Sequence, residues 1–184
     1  RAIMCAALAK GESVIRNVAY SQDILATIAG MRALGAQITV QPDCVIVRGI
    51  SALPKSPLTV DCGESGSTLR FFVPLFTLSG QPVTFLGKNR LLKRPQGVYE
   101  AIFKERGRRF EQSDSRLEVQ GALTPGDYRI AGGVSSQFIS GLLFALPLLE
   151  GDSVVRIEPP FESRSYVDLT LQMLRTFGVT AQFT

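Results

Sequence analysis

Gly11-Glu12-Ser13-Val14, Gly80-Gln81-Pro82-Val83 and Gly151-Asp152-Ser153-Val154 are three versions of one turn. Their leading glycines stand 69 and 71 residues apart. A second series, Gly35-Ala36-Gln37-Ile38, Gly107-Arg108-Arg109-Phe110 and Gly178-Val179-Thr180-Ala181, keeps nearly the same step, 72 and then 71 residues. Val47-Arg48-Gly49 and Val119-Gln120-Gly121 add a third landmark, 72 residues apart. Three landmarks on one period mark an internal repeat, one supersecondary unit recurring about every 70 residues.

Each copy reads alike. An apolar helix closes at a glycine, as helix C-termini often do. A short β-branched strand follows, such as Ser13 to Asn17 or Val154 to Glu158. An amphipathic helix comes next. In the first copy Ile24, Leu25, Ile28, Met31 and Leu34 hold helical spacing, with Ser21 as N-cap and Gly35 as terminator. In the second, Pro95 suits the first helical position, and Val98 and Ile102 face inward. In the third, Leu169, Met173 and Phe177 form the stripe. A hairpin then returns, as in Ala36–Val40 with Cys44–Val47. The expected class is α/β (α+β), with repeat units at about 1–61, 62–131 and 132–184. The first copy starts inside its helix and the third stops before its last strand, so a threefold domain truncated at both ends is expected.

Composition excludes several classes. The 184 residues are 45% hydrophobic and 20% charged with a net charge of +4, which rules out low-complexity disorder. The most apolar stretch, Phe138 to Leu149, contains Ser140 and Gly141 and is far short of the roughly 20 residues of a membrane span. No signal-peptide pattern is visible, and a cytoplasmic location is expected. Cys5, Cys44 and Cys62 are odd in number and widely spaced, which argues against a disulfide framework. With no histidine in the chain, a Ser-His-Asp triad and the usual zinc sites cannot be built.

Two of the helices that end at glycines have visible starts, both rich in small hydroxyl residues. One is Gly63-Glu64-Ser65-Gly66-Ser67-Thr68-Leu69-Arg70, the other Gly132-Gly133-Val134-Ser135-Ser136-Gln137-Phe138. The helices that follow are apolar all round, as buried helices are. A buried helix with such a start aims unpaired N–H groups and partial positive charge at one point, which suits an anion. Simple N-capping by serine or threonine is the competing use. From Lys88 to Arg109 eight basic residues face two acidic ones. Those at 104–109 read as a solvated surface. Arg90 and Arg94, in a loop ahead of Pro95, can grip a carboxylate or phosphate bidentately. Nucleic acid is disfavoured as a partner of this patch, because no aromatic platform or RNA-binding motif is interleaved with it. Glu162-Ser163-Arg164-Ser165-Tyr166 opens the third amphipathic helix, where Ser163 or Ser165 can cap.

Gly63 to Arg70, Leu92-Lys93-Arg94-Pro95, Val134-Ser135-Ser136-Gln137-Phe138 and Ser163-Arg164-Ser165-Tyr166-Val167-Asp168 resemble, in order and spacing, the 5-enolpyruvylshikimate-3-phosphate synthases. The resemblance runs across essentially the whole chain, including Arg1 to Asp23. It implies one lobe of a bilobed enzyme, a pseudo-threefold array of βαβαββ units with helices inside and sheets outside. It implies transfer of the enolpyruvyl group of phosphoenolpyruvate to the 5-hydroxyl of shikimate 3-phosphate, with no metal or organic cofactor, in a monomer that binds neither nucleic acid nor membrane. Ser135, Ser136 and Ser163 would hold the shikimate phosphate. Gln137 and Tyr166 would contact the ring region, and Arg1 its polar groups. Gly66 and Arg94 would bind phosphoenolpyruvate, with Arg70 supporting the same loop. The acid–base carboxylates would belong to a second lobe, so no catalytic residue is expected within these 184 and no turnover from the chain alone. The family's Lys-Ser pair is not found ahead of Arg1. Phe71 stands where many members have proline and Glu64 where others have asparagine, which suggests a bacterial branch with altered tolerance of glyphosate. Two alternatives are UDP-N-acetylglucosamine enolpyruvyltransferase, whose cysteine loop is not evident at 85–95, and a non-enzymatic or RNA-related domain of the same architecture.

Overall fold

A computed structural model describes residues 1–183. The first stretch forms α1 (Ala2–Leu8), β1 (Glu12–Arg16), α2 (Gln22–Ala33), β2 (Gln37–Val40) and β3 (Cys44–Arg48). The middle stretch forms β4 (Leu58–Asp61), α3 (Gly66–Phe76), β5 (Val83–Leu86), α4 (Gly97–Glu105), β6 (Arg109–Gln112) and β7 (Leu117–Gln120). The last forms β8 (Gly126–Ala131), α5 (Ser136–Ala145), β9 (Ser153–Glu158) and α6 (Arg164–Thr176). The middle stretch thus carries the strand–helix–strand–helix–strand–strand order.

Three sheets result, ordered β1-β3-β2, β4-β5-β7-β6 and β8-β9. β4 pairs parallel with β5 and β8 with β9, whereas the hairpin strands pair antiparallel. By sheet membership the divisions fall ahead of Leu58 and Gly126, because β4 and β8 each hydrogen-bond to the strand after the next helix. Thr184, the last residue of the expected third unit, lies outside the described residues.

The sheets alternate inward and outward side chains, as in the half-buried pattern of β9, while α3 and α5 bury nearly every residue. Phe71 meets Phe144 edge-on at 5.2 Å where α3 crosses α5. The core is therefore helical at its centre and sheeted outside.

Four expectations are corrected. The apolar helices stop short of their glycines. Pro74 withdraws a donor from α3, and the chain tightens into a 3-10 turn at Thr77–Ser79 before Gly80 turns left-handed at φ 70°. Pro95 is not a first helical residue. Arg94 is extended, as residues before proline are, and Gln96 is the N-cap of α4. Tyr99 and Phe103 are buried there along with Ile102, while Val98 is only part-buried. On α6 the buried positions are Val167, Thr170, Leu171 and Leu174, while Leu169 is 51% exposed. A four-residue step overshoots the 3.6-residue turn, so Leu169 falls on the outer flank, whereas Met173 and Phe177 still pack part-buried against the core. Arg106 is also no loose surface charge. It stacks 3.8 Å from the Tyr128 ring and donates to the carbonyls of Thr124 and Asp127.

Candidate anion-binding site

Ser135 is the N-cap of α5, its Oγ accepting from the Gln137 N–H at 3.4 Å. Ser65 caps α3 in the same way, accepting from the Thr68 N–H at 3.2 Å. Capping leaves room for an anion at these helix starts, since each cap consumes only one of several free N–H groups. Ser163 caps α6 by position, with no side-chain cap bond.

The starts of α5 and α6 open on one cavity of about 440 Å³. Ser135, Ser136 and Ser163 line it from those helix starts. Arg1, Gln137 and Tyr166 complete the set expected from the sequence, and Met4, Ile24 and Phe71 supply apolar wall. Ser136 is 6% exposed and Tyr166, on the rim, 57%.

Arg1 is aimed by neutral partners. Its Nε donates to Thr170 Oγ1 at 2.8 Å and Nη2 to the Tyr166 carbonyl at 3.4 Å, with the Phe71 ring 5.6 Å below. Thr170 Oγ1 is itself 2.8 Å from Ser140 Oγ. No carboxylate pairs with Arg1 among the described residues. Burial lowers the pKa of its guanidinium, partly offset by Tyr166. Arginine starts from so high a pKa that the group stays charged despite this lowering, and its charge is free for a ligand.

Gly66, Arg70 and Arg94 do not line this cavity. They form an adjoining cluster joined to it through Gln137. Arg70 Nη1 donates to Gln137 Oε1 at 2.9 Å, and the Arg70 guanidinium lies 4.5 Å from the Phe138 ring. A Cβ on Gly66 would stand 2.7 Å from Arg94 Nη1 and 3.9 Å from Gln137 Oε1. Burial pulls the Arg70 pKa down, Tyr99 opposes that, and the neighbouring Arg94 charge adds to it. Two like charges held side by side beside a glycine tip suit a dianion.

Sequence reasoning missed Asp23, Thr27 and Ser67 as lining residues. Thr27 Oγ1 donates to the Asp23 carbonyl at 2.9 Å and sits 2.8 Å from Thr68 Oγ1, which fixes α2 against the start of α3. Nothing in Ser21-Gln22-Asp23 beyond an ordinary helix start marks Asp23 as a residue that lines the cavity. Among the described residues no group of three or more His, Cys, Asp or Glu is placed to hold a metal ion. No described helix is long and apolar enough to cross a membrane.

The family model described as EPSP synthase (3-phosphoshikimate 1-carboxyvinyltransferase) matches residues 1–183. The chain belongs to the EPSP synthase family. A curated relative named 3-phosphoshikimate 1-carboxyvinyltransferase, from Clostridium perfringens (strain SM101 / Type A), is 49% identical over 183 residues, covering 98% of this chain and 43% of that protein. One of the same name from Clostridium beijerinckii is 45% identical over 188 residues, covering 97% and 43%. The chain therefore spans less than half the length of these EPSP synthase relatives. The solved structure of EPSP synthase from Acinetobacter baumannii overlays the whole chain and 42% of its own with a TM-score of 0.79 at 22% identity, a match of fold. Membership in the EPSP synthase family does not favour the UDP-N-acetylglucosamine or RNA-related alternatives.

Proposed function

We propose that this chain forms the shikimate-3-phosphate-binding part of a 3-phosphoshikimate 1-carboxyvinyltransferase, which moves the enolpyruvyl group of phosphoenolpyruvate to the 5-hydroxyl of shikimate 3-phosphate and releases phosphate. The observation that carries the reading is the meeting of the α5 and α6 serine tips with Arg1 at one open cavity.

Ser135, Ser136 and Ser163 receive the substrate phosphate, where hydroxyl donors and helix-start N–H groups converge. Arg1 takes up polar groups of the ring, with Gln137 and Tyr166 beside it. Phosphoenolpyruvate lies toward Gly66 and Arg94, and Arg70 steadies that side through Gln137. Pre-ordered positive charge offsets the repulsion between two dianions and holds the reacting hydroxyl near the enol carbon. The acid–base groups come from a second lobe of the same enzyme, closing over the cavity.

Thermal protection tests the reading. Shikimate 3-phosphate at a hundred times its dissociation constant contributes about 2.7 kcal/mol, which raises the midpoint of a domain this size by about 5–10 °C. An oligonucleotide leaves the midpoint unchanged. No shift with shikimate 3-phosphate, or an equal shift with the oligonucleotide, would contradict the assignment.

A further inference from the structure

Tyr99 lies on α4, is fully buried, and lines no part of the cavity. Its ring packs edge-on to Phe138 with centroids 5.0 Å apart. A phenylalanine would fill that space equally well, so the hydroxyl needs its own explanation. It donates to the Arg70 carbonyl at 2.6 Å and also lies 3.0 Å from the Phe138 carbonyl.

The Arg70 carbonyl is an orphan by sequence. Its helical donor would be the N–H four residues on, and that residue is Pro74, which has none. The second feature is a notch in α5. A Cβ on Gly141 would collide with both the Tyr99 hydroxyl and the Arg70 carbonyl oxygen. Pro74 opens the acceptor, Gly141 clears the space, and Tyr99 supplies the donor. Burial keeps the Tyr99 proton in place, since its pKa is well above the ordinary value despite the pull of Arg70.

The two carbonyls belong to the residues that set the Arg70–Gln137 contact. One is Arg70 itself, and the other is Phe138, next to Gln137. Arg94 and Pro95 lead into the same helix as Tyr99, and Arg70 Nη2 reaches the Pro95 carbonyl at 3.5 Å.

We infer that Tyr99 is a positioning residue, its hydroxyl pinning the starts of α3 and α5 so that Arg70 and Gln137 hold one geometry at the edge of the cavity. Its effect on ligand binding rests on the function proposed above, whereas its effect on the Arg70–Gln137 pair does not.

The test uses the 184-residue chain and its Tyr99→Phe variant. In the ligand-free protein, the Gln137 side-chain amide and Arg70 guanidinium NMR signals of the variant should shift and broaden as the contact becomes averaged. In the same variant shikimate 3-phosphate should bind about tenfold more weakly or worse. A purely structural hydroxyl would lower the unfolding midpoint and leave those signals alone, so unchanged Arg70 and Gln137 signals overturn the inference whatever the midpoint does. Altered signals with unchanged affinity overturn its link to binding. Failure of the parent chain to bind shikimate 3-phosphate counts against the proposed function, and the ligand-free spectra then judge Tyr99 alone. If Tyr99→Phe does not fold, the parent chain decides: a slowly exchanging Tyr99 hydroxyl proton with cross-peaks to Arg70 and Phe138 supports the pin, and a hydroxyl exchanging freely with water overturns it.

Discussion

Arg1 Nε and Thr170 Oγ1 meet at 2.8 Å, joining the start of α1 to the middle of α6. The partner is a hydroxyl, so the guanidinium is oriented without being neutralised. Thr170→Val removes that acceptor and the bond to Ser140 while keeping the branched shape. Each such bond lost inside the protein costs about 1 kcal/mol of stability, and the hydroxyl makes contacts with Arg1, Ser140 and the Tyr166 carbonyl. Affinity for shikimate 3-phosphate should fall severalfold as Arg1 loses its aim. Urea denaturation and calorimetric titration of the same sample check the two effects, and unchanged affinity would separate Arg1 from the ligand.

Ser136 lies in the first turn of α5, nearly buried at the cavity wall. A hydrogen bond to a charged group is worth about 1.5–3 kcal/mol, so Ser136→Ala should weaken shikimate 3-phosphate binding by about tenfold or more. Calorimetric titration reads this directly. An unaltered dissociation constant would remove Ser136 from the phosphate site.

Gly66→Ala places a methyl carbon against the far end of the Arg94 side chain, which can swing away. Stability should change little, because the neighbour that yields is flexible and exposed. Binding of phosphoenolpyruvate in the full enzyme should fall as the guanidinium leaves its place. Arg94→Ala should cost about 2 kcal/mol or more at the same step, the scale of a charge-assisted bond left unmade. Michaelis constants for phosphoenolpyruvate measured beside the thermal midpoint distinguish a moved arginine from a damaged fold.

Cys5 and Cys62 give the chain an alkaline limit. Burial pushes the Cys5 thiol up to about 11 and the Cys62 thiol up to about 12, from an ordinary value of 9.0. The folded protein therefore keeps these protons longer than the unfolded chain does. Their contribution to stability is complete below pH 9.0 and is lost as pH climbs through the folded values. The unfolding midpoint should drop from about pH 9 upward, and less steeply in Cys62→Ala. Parallel pH profiles of the two proteins check this, and identical slopes would show that Cys62 does not contribute.

The sequence showed the fold through its punctuation. Gly35, at φ 113°, and Gly80, at φ 70°, stand where a side chain is strained, so these turns left their trace in residues that cannot be exchanged freely. Ser21 was legible for a similar reason, because a cap is a local demand, and its Oγ does accept from the Ile24 N–H. What was hidden depends on packing between distant segments. Asp23 reaches the cavity only because α2 is set against the start of α3 through Thr27 and Thr68. Thr170 carried no signal of its own in the sequence, yet it is buried and bonded to Arg1 and Ser140. Tyr99 went unmarked beside Val98 and Ile102, because the use of its hydroxyl depends on Pro74 and Gly141 from two other helices.

The most direct measurement is a map of amide chemical shifts as shikimate 3-phosphate is titrated into the isotope-labelled chain. A single saturable site, with the largest changes at Ser135, Ser136, Gln137 and Ser163 and at residues around Arg1, is the predicted result. Changes confined to the exposed basic residues Lys88, Arg90 and Lys93, or none at a concentration that saturates the full enzyme, would contradict a phosphate-receiving cavity at the tips of α5 and α6.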